Sequence, residues 1–221
     1  MENEVTRKAR CNFHKLIAYG FEKQVGQYIY HTIMMDVFNV EIHVDEEGNL
    51  SGKLYDMESG EEYVNHRIKQ QTGEFVSKMR EAYFEILYDI VSNCYNAQPF
   101  IGNQSNRIAV YLKETYGTTP EFLWKKYPGH GVFRNTQNQK WYGIILNIHA
   151  SKIMNEDKEI EILDVKIKPE QLEELLNKPG YYPAYHMNKK NWITLVLDET
   201  LSDEEIKQHL DESFYLSNCK K

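Results

Sequence analysis

The chain has 221 residues, which is enough for one large domain or two small ones. Hydrophobic residues make up 41% and charged residues 27%, so we expect a packed core and not a disordered chain. The net charge of −7 excludes the overall basic footprint that most nucleic-acid-binding proteins show. Residues 1–98 carry 10 basic and 16 acidic side chains, whereas residues 99–221 carry 16 and 17. The second half is therefore the less unfavourable place for a polyanion to bind.

The beginning of the chain has no apolar run typical of a signal peptide, and no window approaches the apolar length of a membrane span. The three cysteines, Cys11, Cys94 and Cys219, are far apart in the sequence and form no CxxC pair. Neither a disulfide framework nor a zinc site is therefore indicated. We expect a cytoplasmic protein with reduced thiols and no membrane-spanning segment.

The first half of the chain predicts a helix, a small antiparallel sheet and a second, longer helix. Apolar residues at helical spacing predict a helix over Glu4–Tyr19 that ends at Gly20. Short alternating runs separated by turn residues then predict an antiparallel meander, because no crossover of helix length separates them. The four runs are Phe21–Val25, Gln27–Met34, Phe38–Val44 and Leu50–Asp56. An apolar stripe predicts the long helix from Glu74 to Tyr95.

A break follows, because Pro99 and Gly102 interrupt the helical pattern. We place the module boundary there, which gives an N-terminal module of residues 1–97 and a C-terminal module of residues 98–221. In the second module we expect helices over Ser105–Tyr116, Pro169–Asn177 and Ser202–Leu216, and strands over Val132–Asn135, Lys140–His149, Ile160–Ile167 and Trp192–Leu197. Both modules therefore predict the α+β class, each a small antiparallel sheet packed with helices.

The most specific stretch of the chain is Pro179–Leu195, which reads PGYYPAYHMNKKNWITL. Its prolines and glycine restrict the backbone, and Pro183 disfavours helical geometry at the residue before it. Tyrosines and a histidine then precede two lysines and Trp192, which begins an apolar strand. We call this stretch the signature segment and expect a rigid loop at a sheet edge.

The signature segment resembles the MmcQ/YjbR family, whose members carry a similar proline-tyrosine-histidine-methionine-asparagine-lysine-lysine-tryptophan stretch. Three further segments are similar to the family's central strand, its strand and following helix, and its closing helix, in that order. They are KWYGIILNI at Lys140–Ile148, DVKIKPEQLEELL at Asp164–Leu176 and TLSDEEIKQHLDESFYL at Thr200–Leu216. The resemblance covers about Asn103 to Leu216, and the first half resembles an N-terminal extension of longer members.

The resemblance implies a compact α+β fold, similar in outline to frataxin-type and secretion-chaperone-type folds. It also implies DNA binding through strand-loop elements described as a double wing. No family motif assigns the contacts position by position, so the candidates come from the signature segment and the basic and aromatic residues expected beside it. They are Arg134, Lys140, Trp141, Tyr185, His186, Asn188, Lys189, Lys190 and Trp192, with Lys152, Lys166 and Lys168 at the margin.

Two interpretations of the signature segment stay open. In the first, its cationic side chains meet phosphates while Tyr185 and Trp192 offer faces on which bases stack. In the second, the same aromatic rings fill the edge of the core, while His186 and Asn188 tie the loop down by hydrogen bonds. In the strand before the segment, alternation puts Lys166 and Lys168 on one face. That face is either the solvated face of an amphipathic strand or the margin of a phosphate-binding surface.

Motifs of catalysis are absent from the sequence: it contains no GxSxG, P-loop, GxGxxG or HExxH. Cys94 lies on an apolar helix, where we expect a buried and inert thiol. We therefore expect a protein that is not an enzyme and has neither a cofactor nor a metal site. Two alternatives to DNA binding remain, a chaperone-like protein-interaction module and a domain that binds a small ligand or metal.

Overall fold

The computed structural model describes residues 1–218, so Cys219 and its expected reduced thiol lie outside the described residues. The chain divides into two compact units, Met1–Gln98 and Pro99–Lys221, which we call unit 1 and unit 2. The boundary falls one residue after the predicted one. None of the helices in residues 1–218 combines the length and the apolar character that a membrane crossing requires.

Unit 1 contains a four-stranded antiparallel meander, in the order β2-β3-β4-β5, and a separate pair of strands, β1 and β6. Its strands are β1 (Ala9–Cys11), β2 (Glu22–Gln24), β3 (Gln27–Met34), β4 (Phe38–Asp45), β5 (Leu50–Asp56) and β6 (Tyr95–Ala97). Its helices are α1 (Glu2–Val5), α2 (Phe13–Tyr19) and α3 (Glu74–Cys94), with a 3-10 turn at Asn65–Arg67. Along β4, buried residues alternate with more exposed ones, as expected for a sheet with one covered face.

The predicted helix over Glu4–Tyr19 is wrong in its first half. Ala9–Cys11 leaves the helical path and pairs antiparallel with β6, which lies more than eighty residues later in the chain. The side chain of Asn12 then accepts a hydrogen bond from the backbone N–H of Lys15 at 3.2 Å and caps a new helix, α2. A strand pairing between distant segments thus overrides a local helical pattern. Because β6 forms only through this pairing with β1, local sequence patterns did not predict it.

Unit 2 contains a five-stranded antiparallel sheet in the order β10-β11-β9-β8-β7. Its strands are β7 (Gly131–Arg134), β8 (Trp141–His149), β9 (Glu159–Lys166), β10 (Tyr181–Pro183) and β11 (Trp192–Val196). Its helices are α4 (Asn103–Tyr116), α5 (Leu172–Leu176) and α6 (Asp203–Asn218), with 3-10 turns at Ala150–Lys152 and Pro169–Gln171. The α+β class and the small antiparallel sheets are thus confirmed.

The sheet of unit 2 is covered on both faces, which is why β8 and β9 are almost continuously buried. One face, which we call the helix face, packs its Ile145, Leu163 and Ile193 with α4 and α6. The other face is covered by loops, and we call it the loop face. Its buried cluster includes Ile144 and Ile162, with Trp124, Trp141, Tyr182, Tyr185 and Met187 packed against it.

The signature segment is a hairpin and not only a loop. Its first residues form β10, which pairs antiparallel with β11 at the edge of the sheet. Gly180, just before β10, has a φ of 84°, and a Cβ there would lie 2.9 Å from the side chain of Leu201. Pro183 is tolerated because β10 is an edge strand of the sheet.

Gly52 provides a test of the packing in unit 1. A Cβ at Gly52 would meet the hydroxyl of Tyr83 and would lie 2.8 Å from the side chain of Ile42, both of which are fully buried. We expect Gly52→Ala to lower the free energy of unfolding by about 1–3 kcal/mol, because the core would be overpacked. Urea denaturation followed by circular dichroism measures this change. Gly73→Ala is the matched control, since nothing lies within 4 Å of its Cβ position, and an equal loss in both variants would contradict the packing argument.

Candidate nucleic-acid interface

The strand register of unit 2 gathers basic and aromatic side chains at one end of the sheet. Arg134, the last residue of β7, stands opposite Trp141, the first of β8. Lys166, the last residue of β9, stands opposite Trp192, the first of β11. β8 and β9 pair so that Gly143, two residues after Trp141, stands opposite Val165, the residue before Lys166. All four residues therefore lie at the same end of four neighbouring strands.

Two cations at this end lie over tryptophan rings. The guanidinium of Arg134 is 5.3 Å from the ring centre of Trp141, and its Nε donates to Oε2 of Glu121 at 2.8 Å. The ammonium of Lys166 is 4.9 Å from the ring centre of Trp192. Such contacts position the cations while leaving them charged.

One predicted role is corrected here. The Trp192 ring is only 5% exposed, because it packs at the start of β11, so it has no face on which a base could stack. Its contribution to this surface is to hold Lys166, which was predicted only as a marginal residue.

The turn of the signature segment lies at the same end of the sheet, immediately before β11. The side chain of Asn188 accepts from the backbone N–H of Lys190 at 2.9 Å, and its carbonyl accepts from that of Asn191 at 3.0 Å. Asn188 thus ties the turn down, while the side chains of Lys189 and Lys190 are exposed. We call the residues gathered here the basic end of unit 2: Arg134, Lys140, Trp141, Lys166, Asn188, Lys189, Lys190 and Trp192.

A buried carboxylate on the loop face anchors the signature segment to the sheet. Asp164 of β9 and Thr194 of β11 stand opposite each other, and both are fully buried. The Thr194 hydroxyl donates to Oδ1 of Asp164 and accepts from the backbone N–H of Tyr185 at 3.0 Å. The backbone N–H of His186 approaches Oδ2 of Asp164 at 3.5 Å. Burial raises the pKa of Asp164, and the hydrogen bonds from Thr194 and the two amides oppose that rise.

Tyr185 and His186 are therefore placed by their backbones next to the Asp164–Thr194 pair. The Tyr185 ring is half-buried in the loop-face cluster and lies 4.2 Å, centre to centre, from the His186 ring, which is exposed. The two interpretations of the segment thus apply to different residues: Tyr185 and Asn188 support the loop, and His186, Lys189 and Lys190 face the solvent.

A second loop on this face was not singled out as a site from the sequence. Between α4 and β7, Trp124 packs edge-on against Trp141, with ring centres 6.0 Å apart. Tyr127 is 47% exposed and stacks on His130 at 4.9 Å, and Lys126 lies 5.6 Å from the Tyr127 ring centre. The aromatic and basic residues of this loop were the signal in the sequence, but only the fold brings Trp124 beside Trp141.

Nine of the 17 acidic residues of unit 2 lie on two of its helices and the turn before α6, and one of them, Glu212, lies near the end of β9. Helices α5 and α6 and the turn between β11 and α6 carry Glu173, Glu174, Asp198, Glu199, Asp203, Glu204, Glu205, Asp211 and Glu212. At the basic end, by contrast, Glu121 is paired with Arg134. Of the two other marginal lysines, only Lys152 lies at the far end of the sheet. Lys168 lies past the end of β9 and pairs with Glu212 at 3.0 Å, and Lys152 follows the far end of β8.

No group of three or more His, Cys, Asp or Glu side chains in residues 1–218 converges as a metal site. Burial raises the pKa of the Cys94 thiol to about 11, so it is not a thiolate at neutral pH.

The Asp164–Thr194 pair gives a stability prediction. Thr194→Val keeps the shape of the side chain but leaves the Asp164 carboxylate and the Tyr185 amide short of a partner, which we expect to cost about 1–3 kcal/mol. All three tryptophans lie in unit 2, so tryptophan fluorescence in urea reports this transition. Thr200→Val, at an exposed position, is the control. A Thr194→Val protein as stable as the control would show that the hydroxyl does not anchor the loop.

His130 gives a prediction of pH dependence. Burial lowers its pKa below 6.5, and nearby His186 lowers it further. The unfolded chain therefore binds a proton more readily, so the contribution of His130 to stability is present above pH 6.5 and lost as the pH falls below it. We expect His130→Gln to lose less stability than the wild type between pH 6.5 and about pH 5. Fluorescence-detected urea denaturation at each pH measures the difference, and parallel pH profiles would contradict the assignment.

Comparisons with known proteins place unit 2 in a family. The sequence model of the YjbR family matches residues 113–216. The chain is 41% identical over 108 residues to the uncharacterised protein YyaQ of Bacillus subtilis (strain 168), covering 48% of this chain and 92% of that protein. A crystal structure of a protein from Pseudomonas syringae is 42% identical, with a TM-score of 0.50 over 51% of this chain and 97% of the other. The matched residues contain β7 to β11, the signature segment and the basic end, and the chain thus belongs to the YjbR family.

Proposed function

We propose that unit 2 binds DNA through its basic end. Lys140, Lys189 and Lys190 contact phosphates, while Trp141 offers a partly exposed aromatic face at the same end of the sheet. The single observation that carries the proposal is the register, which aligns basic and aromatic residues across four neighbouring strands. At a strand spacing of about 4.8 Å, the row is about 14 Å wide, similar to the major groove of duplex DNA.

The separation of charge within unit 2 supports this proposal. Phosphate binding depends on the local field and not on the net charge, and nine of the 17 acidic side chains of unit 2 lie on α5, α6 and the turn before α6. The anchoring of the signature segment by Asp164 also supports it, because a fixed turn loses little conformational entropy when Lys189 and Lys190 bind a phosphate.

The proposal is one of binding and not of catalysis. Burial raises the pKa of both described thiols, Cys11 and Cys94, to about 11, which makes them poor nucleophiles at neutral pH. Both are free thiols, which fits the reducing cytoplasm as the compartment of the protein.

A salt-titrated binding assay tests the proposal. Fluorescence anisotropy with labelled duplex and single-stranded DNA measures the dissociation constant from low to physiological salt. We expect the Lys189→Ala/Lys190→Ala double variant to bind more weakly and to lower the slope of log K against log salt by about 2 for duplex DNA. The single-stranded probe shows whether the aromatic face contributes.

The matched control is Lys113→Ala/Lys178→Ala, which removes the same charge from exposed positions on α4 and after α5. We expect it to change affinity only slightly, because these lysines lie away from the basic end. Absence of binding at low salt would end the proposal. Equal losses in both double variants would show that total charge, and not the basic end, decides binding.

A further inference from the structure

The sheet of unit 1 has a partly uncovered edge. β2 pairs only with the first three residues of β3, Gln27–Ile29, whereas β4 pairs with β3 along its whole length. Before β2 the chain turns away at Gly20, whose φ is 121°, and enters α2. Within the described residues, Tyr30–Met34 therefore has a strand neighbour on one side only, and we call it the open edge.

The backbone groups at the open edge point outward in a fixed pattern. A two-residue turn joins β2 to β3, so Gln27 forms the hydrogen-bonded pair that closes the hairpin, and Ile29 faces β2 in the same way. Alternation along the strand then directs the backbone N–H and C=O of His31 and Ile33 away from β4. In residues 1–218, no hydrogen bond to another backbone group uses them on that side.

A groove of about 430 Å³ runs beside the open edge, between β3 and α3. Its apolar lining comes from both elements and from α2, and includes Tyr19, Tyr30, Met34, Ala82 and Ile86. Two carboxylates, those of Glu85 and Asp89 on α3, stand at its rim. A strand added at the open edge would direct every second side chain into this groove.

The open edge lacks the features that usually protect a sheet edge. Natural edges carry lysine, proline or a bulge, which discourage pairing with another chain. The open edge contains no lysine and no proline, and its register with β4 is regular. Ile33, within this edge, is 57% exposed. The adjoining Met35 is 39% exposed. An exposed apolar edge of this kind is typical of a binding surface.

We propose that the open edge binds an extended segment of a partner protein as an added strand, and that this segment alternates apolar residues with lysine or arginine. Main-chain hydrogen bonds to His31 and Ile33 hold the segment, and its basic side chains meet Glu85 and Asp89. A second copy of the chain fits less well. Pairing two such edges would bring the carboxylates of both α3 helices together, and residues 1–98 carry 10 basic against 16 acidic side chains.

A synthetic peptide tests the proposal on the full-length protein. The probe is a short fluorescent peptide in which lysine and valine alternate, and the matched probe replaces each lysine with glutamate. We expect saturable binding of the lysine peptide, with amide chemical shifts changing at His31 and Ile33, and at least about tenfold weaker binding of the glutamate peptide.

Two variants separate the backbone contact from the charge contact. Ile33→Pro removes the outward N–H without removing a bond to β4, so the fold is retained while we expect peptide binding to weaken about tenfold. Ile33→Ala is its control, because it shortens the side chain but keeps the N–H. Glu85→Lys should weaken binding by a similar factor, and its control is Glu114→Lys, at an exposed position on α4 of unit 2. Circular dichroism checks that each variant is folded.

Three outcomes would overturn the proposal. The first is that binding of the lysine peptide does not saturate at concentrations of about 1 mM. The second is that the lysine and glutamate peptides bind equally well. The third is that Ile33→Pro and Glu85→Lys both bind the lysine peptide as tightly as the wild type does. Sedimentation of the protein alone provides a further test, since a dimer that Ile33→Pro dissociates would identify a second copy as the occupant. None of these measurements depends on DNA binding by unit 2.

Discussion

The buried carboxylate of Asp164 is the constraint on which the loop face of unit 2 depends. A carboxylate in the middle of a sheet is costly unless hydrogen-bond donors surround it. Here the donors come from Thr194 on the neighbouring strand and from the backbone of the signature segment. Satisfying Asp164 therefore requires the segment to fold back over the sheet. The same requirement sets the turn that presents Lys189 and Lys190 next to the start of β11.

The basic end shows how a chain with a net charge of −7 can offer a surface to a polyanion. In unit 2, nine of the 17 acidic side chains lie on α5, α6 and the turn before α6, whereas the strand ends and the turn of the signature segment carry lysines and an arginine. Trp141 and Trp192 hold two of these cations over their rings, and Glu121 forms an ion pair with one of them, Arg134. Unit 1 differs, because its acidic groove at Glu85 and Asp89 suits a basic peptide. The two proposed surfaces thus select ligands of opposite charge.

Local patterns predicted most elements correctly, and the errors share one cause. Alternation and turn residues predicted β3 and β5 to the residue, and the apolar stripe predicted α3 to within one residue of its end. The helix over Glu4–Tyr19 failed because Ala9–Cys11 pairs with residues far along the chain. Lys168, predicted to share a face with Lys166, lies past the end of β9 and forms an ion pair with Glu212 of α6. In each case a contact between residues distant in sequence decided the outcome.

The sequence alone determined the α+β class, the family of the second half and the interest of the signature segment, because these follow from local periodicity and from one segment of unusual composition. Most residues of the basic end, including Arg134 and Trp192, were also predicted from the sequence. Only the tertiary structure decided which of them face solvent: it buried Trp192, tied down Asn188 and brought in Lys166. The open edge of β3 likewise depends on where β2 stops, which the strand register sets. Exposure and pairing arise from contacts across the fold, and no short stretch of sequence specifies them.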